Sequence, residues 1–452
     1  MRPTNIAVAA IATLVVAALA VAVLLPGDPD PRRTSAATTA VAPPPPPPAA
    51  ATVVQAVAAA DVAPHLRALA RAAGGGGTRA AGTPGDVATR EHVVAALRAA
   101  GWRVRVQPVR FPFFEERRPP RVSLPGAGSL ATGRDVRTLA YSPGGRVTGR
   151  VRPVGLTPGR AADAGCREAD FAELRDGEVA LVQRGTCRMS VKARHAQAAG
   201  AAAILVANDG RPGRTGTVAA TLGAPGLRIP ALFVSTAAAR RLAAAGRVTV
   251  AVDAVSERRS TANVLAEAGD GPRVAMAGAH LDSVVDGPGL NDNGSGVAAL
   301  LAAAEAIGSR APDGARLRLA FWGAEELGLY GSRRYVAGLD RAERDAIAAY
   351  VNLDMVGTPG GRMAVYRGDA TVRRELRRAL RERGHDDVRD ERLGRSSDHA
   401  PFAGAGIPVG GIFTGLDRCY HRACDDAANV DAEWIADAGA ATAATLLAVS
   451  VP

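Results

Sequence analysis

The sequence predicts an α/β protein, with a mixed, largely parallel sheet covered by helices and a β-rich α/β segment inserted into it. Three observations carry that expectation. From about residue 260 onward, short apolar runs alternate with longer helical stretches, the pattern of strands joined by crossover helices. Several runs, RVAMAGAHLDS among them, are apolar almost throughout, as strands buried on both faces of a parallel sheet are. Between about 125 and 255 short β-like runs are instead separated by Gly and Pro turns, which marks a different unit.

The elements follow in order. Arg2 precedes about 20 apolar residues, long for a signal-peptide core and adequate for a membrane span. Residues 1–27 are therefore read as a signal peptide or membrane anchor, and both readings send the remainder out of the cytoplasm. APPPPPPAA at 42–50 is an extended spacer, so 28–55 is read as a Pro-rich disordered linker. Residues 56–125 are read as the first part of the main domain. They hold two amphipathic helices, HLRALARAAG and TREHVVAALRAAG, and the β-like VRVQPVRFPFF, which the breaker-rich RRPPRVSLPGAGS ends. The inserted segment is placed at 126–255 and the second part of the main domain at 256–452. There TANVLAEA, RVAMAGAHLDS, RLRLAFWGAEE and AAYVNLDMVG are expected as strands, and GVAALLAAAEAIG as a helix.

Composition narrows the function. With 452 residues, 47% hydrophobic and 22% charged, the chain can bury a substantial core. Its net charge of +11 suits an anionic partner, but aromatics are only 4% and none is interleaved with the arginine clusters. Nucleic-acid binding is excluded on that ground. Four cysteines in an exported chain suggest two disulfides. Three pairings are formally possible; spacing favours Cys166 with Cys187 and Cys419 with Cys424, each within one local segment.

Candidate chemistry collects where strands end, the place where sites form in such sheets. AMAGAHLDS ends in His280 and Asp282, and the i, i+2 relation lets Asp282 orient the His280 ring. Asp292 lies in the Gly-rich GLNDNGSG, and RLRLAFWGAEE ends in the adjacent acids Glu325 and Glu326. VNLDMVG supplies Asp354, and CYHRACDD supplies Tyr420 and His421. A lone histidine at a strand end is usually structural. Two histidines with several carboxylates, each after an apolar strand or in a Gly-rich loop, suit zinc or a similar divalent ion.

Taken in order, HLDS, GLNDNGSG, GAEELGLYGS, NLDMVG and CYHRACD resemble the co-catalytic two-zinc aminopeptidases, a family of secreted bacterial enzymes more distantly related to glutamate carboxypeptidase. TRAAGTPGD resembles that family's amino-terminal portion. The resemblance implies a zinc-exopeptidase-like fold and two zinc ions per chain, one held by His280 and Asp354, the other by Glu326 and His421, with Asp292 between them. Glu325 would then be the general base, and Tyr420 a donor to the tetrahedral oxyanion. Met355, Arg395 and Phe413 resemble the family's substrate-pocket residues, and VQRGTCRMSVKARHAQAAGAAAILVAND resembles a protease-associated domain. Ser397, Asp398 and His399 are read as capping a helix start. The expected activity is removal of the amino-terminal residue from peptides with a free α-amine. A carboxypeptidase on the same scaffold and a receptor-like binding protein are the alternatives. Membrane contact is expected only through the leading segment, and no oligomeric state is implied.

Overall fold

The structure, a computed structural model, describes residues 49–74, 77–309 and 311–450. The expected leader and most of the proline-rich spacer lie outside the described residues, among which no helix is long and apolar enough to cross a membrane. Three helices come first: α1 (Ala50–Ala58), α2 (Ala63–Ala73) and α3 (Pro84–Ala99). The second and third are the expected amphipathic pair. The first corrects the spacer boundary, because residues 50–55 begin α1 and Val53 and Val57 are buried in the main core. Its alanine-rich sequence favours a helix but shows too few large apolar residues for its buried stripe to be read.

Next comes β1 (Arg103–Leu124), then β2 (Gly128–Ser129), β3 (Val136–Thr138), β4 (Gly145–Val154), β5 (Val179–Gln183), α4 (Met189–Ala198), β6 (Ala203–Ala207), β7 (Ala231–Val234), α5 (Thr236–Ala245) and β8 (Arg247–Gly269). Strands β1 and β8 form one long antiparallel ribbon, with Arg103 opposite Glu267 at one end and Ser123 opposite Thr249 at the other. RRPP does not end the first strand, as the sequence suggests it should. Its two prolines, Pro119 and Pro120, fall within the register shift between Arg118 and Arg121, an irregularity where a residue without an N–H is tolerated. The inserted unit is built on the parallel neighbours β4, β5, β6 and β7. It hangs from the distal part of the ribbon through antiparallel pairing of β4 with β8.

The remaining elements are β9 (Val274–His280), α6 (Gly294–Ile307), β10 (Arg316–Trp322), α7 (Tyr330–Val336), α8 (Arg341–Ala346), β11 (Ile347–Leu353), β12 (Ala364–Tyr366), α9 (Ala370–Glu382), β13 (Arg389–Glu391), α10 (His399–Gly404), β14 (Val409–Phe413) and α11 (Ala432–Ser450). The catalytic part of the sheet runs β13–β12–β14–β11–β9–β10–β8. Its centre is parallel, with β9 between β10 and β11 and β14 beside β11. Antiparallel pairing appears where β8 meets β10 and β12 meets β14. On one face α1, α6 and α11 supply the main core. On the other, Trp322, Tyr335, Tyr350 and Phe402 cluster, the rings of Tyr350 and Phe402 stacked 3.9 Å apart.

Because β9, β10, β11 and β14 point the same way, their carboxyl ends open on one edge of the sheet. Helix α6 starts beside that edge, its first turn pressed against the strands. A Cβ at Gly296 would lie 2.5 Å from Asn293 Oδ1, 2.8 Å from the Leu353 carbonyl and 3.0 Å from Ala279 Cβ. Gly296→Ala is therefore expected to destabilise the fold by about 1–3 kcal/mol, read as a lower urea midpoint at unchanged slope. A midpoint equal to the parent's would mean that the helix start yields freely.

Candidate active site

Strand β9 delivers His280 as its last residue. The ring is buried, and its Nδ1 lies 2.9 Å from the main-chain carbonyl of Asp282. Donation from Nδ1 to that carbonyl leaves the Nε2 lone pair free to face the site. The sequence reading gave the orienting role to the Asp282 carboxylate, which is 4.0 Å away. The chain leaves the strand at His280, so the i, i+2 relation no longer holds. The carboxylate instead accepts the backbone N–H groups of Glu325, at 3.0 Å, and Glu326, at 3.3 Å. Asp282 thus fixes the two adjacent acids from beneath, fully buried and with its pKa raised to about 6 by that burial.

Strand β10 stops at Trp322, two residues earlier than its apolar run suggests. Ala324 then takes a left-handed conformation, φ 58°, which costs a non-glycine residue on the order of 1 kcal/mol. That turn separates the side chains of Glu325 and Glu326. Glu326 Oε2 lies 3.2 Å from His421 Nε2, and Glu325 Oε2 lies 4.0 Å from His280 Nε2. His421 is also left-handed, at φ 58°, inside the short loop closed by the Cys419–Cys424 disulfide. Met355, the residue after Asp354, is the same at 55°.

Asp292 sits at the centre. One of its carboxylate oxygens is 3.2 Å from His280 Nε2, and the other is 3.2 Å from His421 Nε2. Asp354 Oδ1 completes the His280 side at 3.4 Å. Among the described residues the convergent donors make three overlapping sets: His280 with Asp292 and Asp354, His280 with Glu325 and Glu326, and Asp292 with Glu326 and His421. Glu326 Oε1 is buried without a hydrogen-bond partner. Such a cluster of acids and imidazoles fits a pair of divalent cations.

The protonation of the metal-free chain agrees. Burial alone would raise Asp292, but hydrogen bonds from His280 and His421 outweigh it and hold the carboxyl far below its usual range. His421 is lifted to about 10 by its bonds to Asp292 and Glu326. His280 is also raised, because Glu325 and Asp354 overcome its desolvation. Burial raises Glu325 well above the carboxyl range and Glu326 to about 7.

The site opens into a cleft of about 630 Å³ that Met355, Arg395, Phe413 and Tyr420 help to line. Tyr420 stacks on His421 at 3.8 Å. Burial and the nearby carboxylates raise its phenol pKa, so it remains a proton donor. Arg395 is exposed and Met355 buried. The second disulfide, Cys166–Cys187, belongs to the inserted unit.

Sequence reasoning missed the supports. Asp425, next to the CYHRAC loop, accepts the backbone N–H groups of Asn291 and Asp292 at 2.8 and 2.9 Å. Ser397, read as a helix cap, donates instead to Asp354 Oδ2 at 2.6 Å. Behind it a buried chain runs from Trp322 Nε1 to Tyr350 Oη, from Tyr350 to Asn352 Oδ1, and from Asn352 Nδ2 to Ser397. Arg79 is wholly buried beside the loop before Asp292. Its one signal was its place in TRAAGTPGD.

Asp398 does not cap α10 with its side chain either. Both carboxylate oxygens are buried, and burial outweighs His280 and the nearby Ser332 hydroxyl, pushing the group from 3.8 to about 7. The native state therefore holds a proton that the unfolded chain has lost, and metal-free stability declines as pH rises between those values. Asp398→Asn is expected to flatten that decline and raise the melting temperature of chelator-treated protein at pH 8. Melting curves from pH 4 to 8 check it; an unchanged slope would refute the effect.

The profile of peptidase family M28 matches residues 263–446, and that of the PA domain matches 147–242. An aminopeptidase of Pseudomonas aeruginosa is 36% identical over 397 residues, which cover 78% of this chain and 74% of that one. The probable lipoprotein aminopeptidase LpqL of Mycobacterium tuberculosis is 36% identical over 364 residues, covering 75% and 70%. Among solved structures, the aminopeptidase from Aneurinibacillus sp. strain AM-1 aligns with a TM-score of 0.62 at 25% identity, over 89% of this chain and 97% of that one. BSAP, a zinc aminopeptidase from Bacillus subtilis, aligns at 0.58 and 25%, over 86% and 96%.

Proposed function

This chain belongs to peptidase family M28, carries an inserted PA domain and is a zinc metallo-aminopeptidase; from that premise we propose how its residues divide the work. His280 and Asp354 would hold one zinc ion and Glu326 and His421 a second, with Asp292 placed between the two sets. The observation that carries this reading is the pair of 3.2 Å separations from the two Asp292 oxygens to two different imidazoles. When bound, the zinc ions supply Lewis acidity and lower the pKa of water.

Glu325 is the general base. Its carboxylate takes a proton from the attacking water as the water oxygen bonds to the scissile carbonyl carbon. The same carboxyl then gives that proton to the leaving amine nitrogen as the C–N bond breaks. Tyr420 donates its phenolic proton in a hydrogen bond to the developing oxyanion. Asp282 keeps Glu325 and Glu326 apart through their backbone N–H groups. The free α-amine of the substrate is drawn to the buried carboxylates, while Met355 and Phe413 offer an apolar wall to its side chain and Arg395 a cation to a carboxylate.

The catalytic unit is assigned to about 50–125, so that it includes all of α1, with 256–452, and the inserted domain to 126–255. Export is part of the proposal. It rests on the apolar run after Arg2, on two disulfides, and on the lipoprotein name of the mycobacterial relative.

A leucyl peptide with a free amino terminus should be cleaved, its acetylated twin left intact, and cleavage lost on chelation and restored by zinc. Hydrolysis of both peptides would move the reading to a carboxypeptidase. Glu325→Gln should lower kcat by about 10²–10⁴-fold with zinc content unchanged. Asp292→Asn should reduce occupancy at both positions, and a full complement of zinc would remove its shared role.

A further inference from the structure

The loop between β9 and α6 links two of the proposed ligands, His280 and Asp292. It begins just after His280, contains Asp282 and ends with Asp292. Fully apolar anchoring would leave its carbonyls without partners, yet it is buried for much of its length. Its anchor comes from elsewhere in the chain: Arg79, in the turn between α2 and α3.

Arg79 is 0% exposed. Its Nη1 donates to the Leu281 carbonyl, its Nε to Pro288 O at 2.8 Å and its Nη2 to Gly289 O at 2.6 Å. One planar fork therefore ties the beginning of the loop to its end. The backbone N–H of Arg79 donates to Ser283 Oγ at 2.9 Å, and that hydroxyl lies 2.9 Å from Gly287 O. Thr78 Oγ1 adds a bond to Val284 O at 2.8 Å.

The Gly289 carbonyl also accepts the N–H of Gly294, the first residue of α6, at 3.0 Å. Gly289 has φ 63°, and a Cβ there would lie 2.2 Å from the Asp292 carbonyl. The chain around Asp292 is thus closed on itself, with the guanidinium against the turn. Its hydrogen bonds go to carbonyls, so its charge is not neutralised by a direct carboxylate partner. That permanent cation stands near Asp282, Asp292, Glu326 and Asp425, and offsets part of their mutual repulsion before any metal arrives.

We propose that Arg79 is a positioning residue for the metal centre: by strapping residues 281–289 it holds Asp292 where its two oxygens face His280 and His421. The inference rests on the ligand assignment made above. Lysine would keep the charge but has a single nitrogen, which cannot reach both sides of the loop as the fork does. Methionine would keep much of the volume and lose both charge and bonds.

The test compares the parent protein with Arg79→Lys, Arg79→Met and Ser283→Ala. Zinc affinity is measured by competition with a chelating dye, and amide hydrogen exchange over residues 281–292 in the metal-free proteins. Arg79→Met should bind zinc about 10–100-fold more weakly and exchange faster across that loop before zinc is added. Arg79→Lys should recover part of the affinity, and Ser283→Ala should lose less. Parent-like affinity and exchange in folded Arg79→Met would overturn the inference. If that variant does not fold, parent-like values in both Arg79→Lys and Ser283→Ala would overturn it equally. A parent protein that binds fewer than two zinc ions would overturn the ligand assignment, and this inference with it.

Discussion

Asp292, Glu325, Glu326 and Asp354 are crowded around two imidazoles at one edge of a buried sheet, and much of the surrounding structure serves to keep them there. Carboxylates so placed repel one another and lose their hydration. Burial raises Glu325 and Glu326, and the neighbouring carboxylates raise His280 and His421. The crowding is met mechanically. Asp282 takes the N–H groups of the adjacent glutamates, Asp425 those of Asn291 and Asp292, and Ser397 fixes Asp354.

The sheet supplies the directions. Parallel pairing of β9, β10, β11 and β14 brings four chain segments out on the same edge. Tight turns then aim single residues: Ala324, Met355 and His421, each with positive φ, stand next to or among the proposed ligands and pocket residues. Backbone strain of this kind is tolerated where neighbouring contacts over-determine the conformation. Here the disulfide around His421 and the Asp282 carboxylate below Glu325 do so.

The inserted unit is attached differently. It shares a ribbon with the catalytic sheet, since β1 and β8 pair along nearly their whole length and β4 adds to the far part of β8. A continuous ladder of this kind transmits orientation between the two units more stiffly than a loop would. The prolines of RRPP sit at the ribbon's irregular section, where the ladder can bend.

The sequence by itself determined the α/β class, the alternation after residue 260 and the residues that meet at the centre. Those features are local: strand period, Gly-rich turns and the last residue of an apolar run are written within a few positions. Tertiary structure alone decided which atoms do what. It assigned the His280 contact to the Asp282 carbonyl rather than its carboxylate, turned Ser397 from a cap into a partner of Asp354, and buried Asp398. It drew Val53 and Val57 into the core and placed Arg79 under a loop some two hundred positions away. These outcomes depend on pairs distant in the chain, whose meeting is set by how the sheet and helices pack, and no local pattern in one sequence records them.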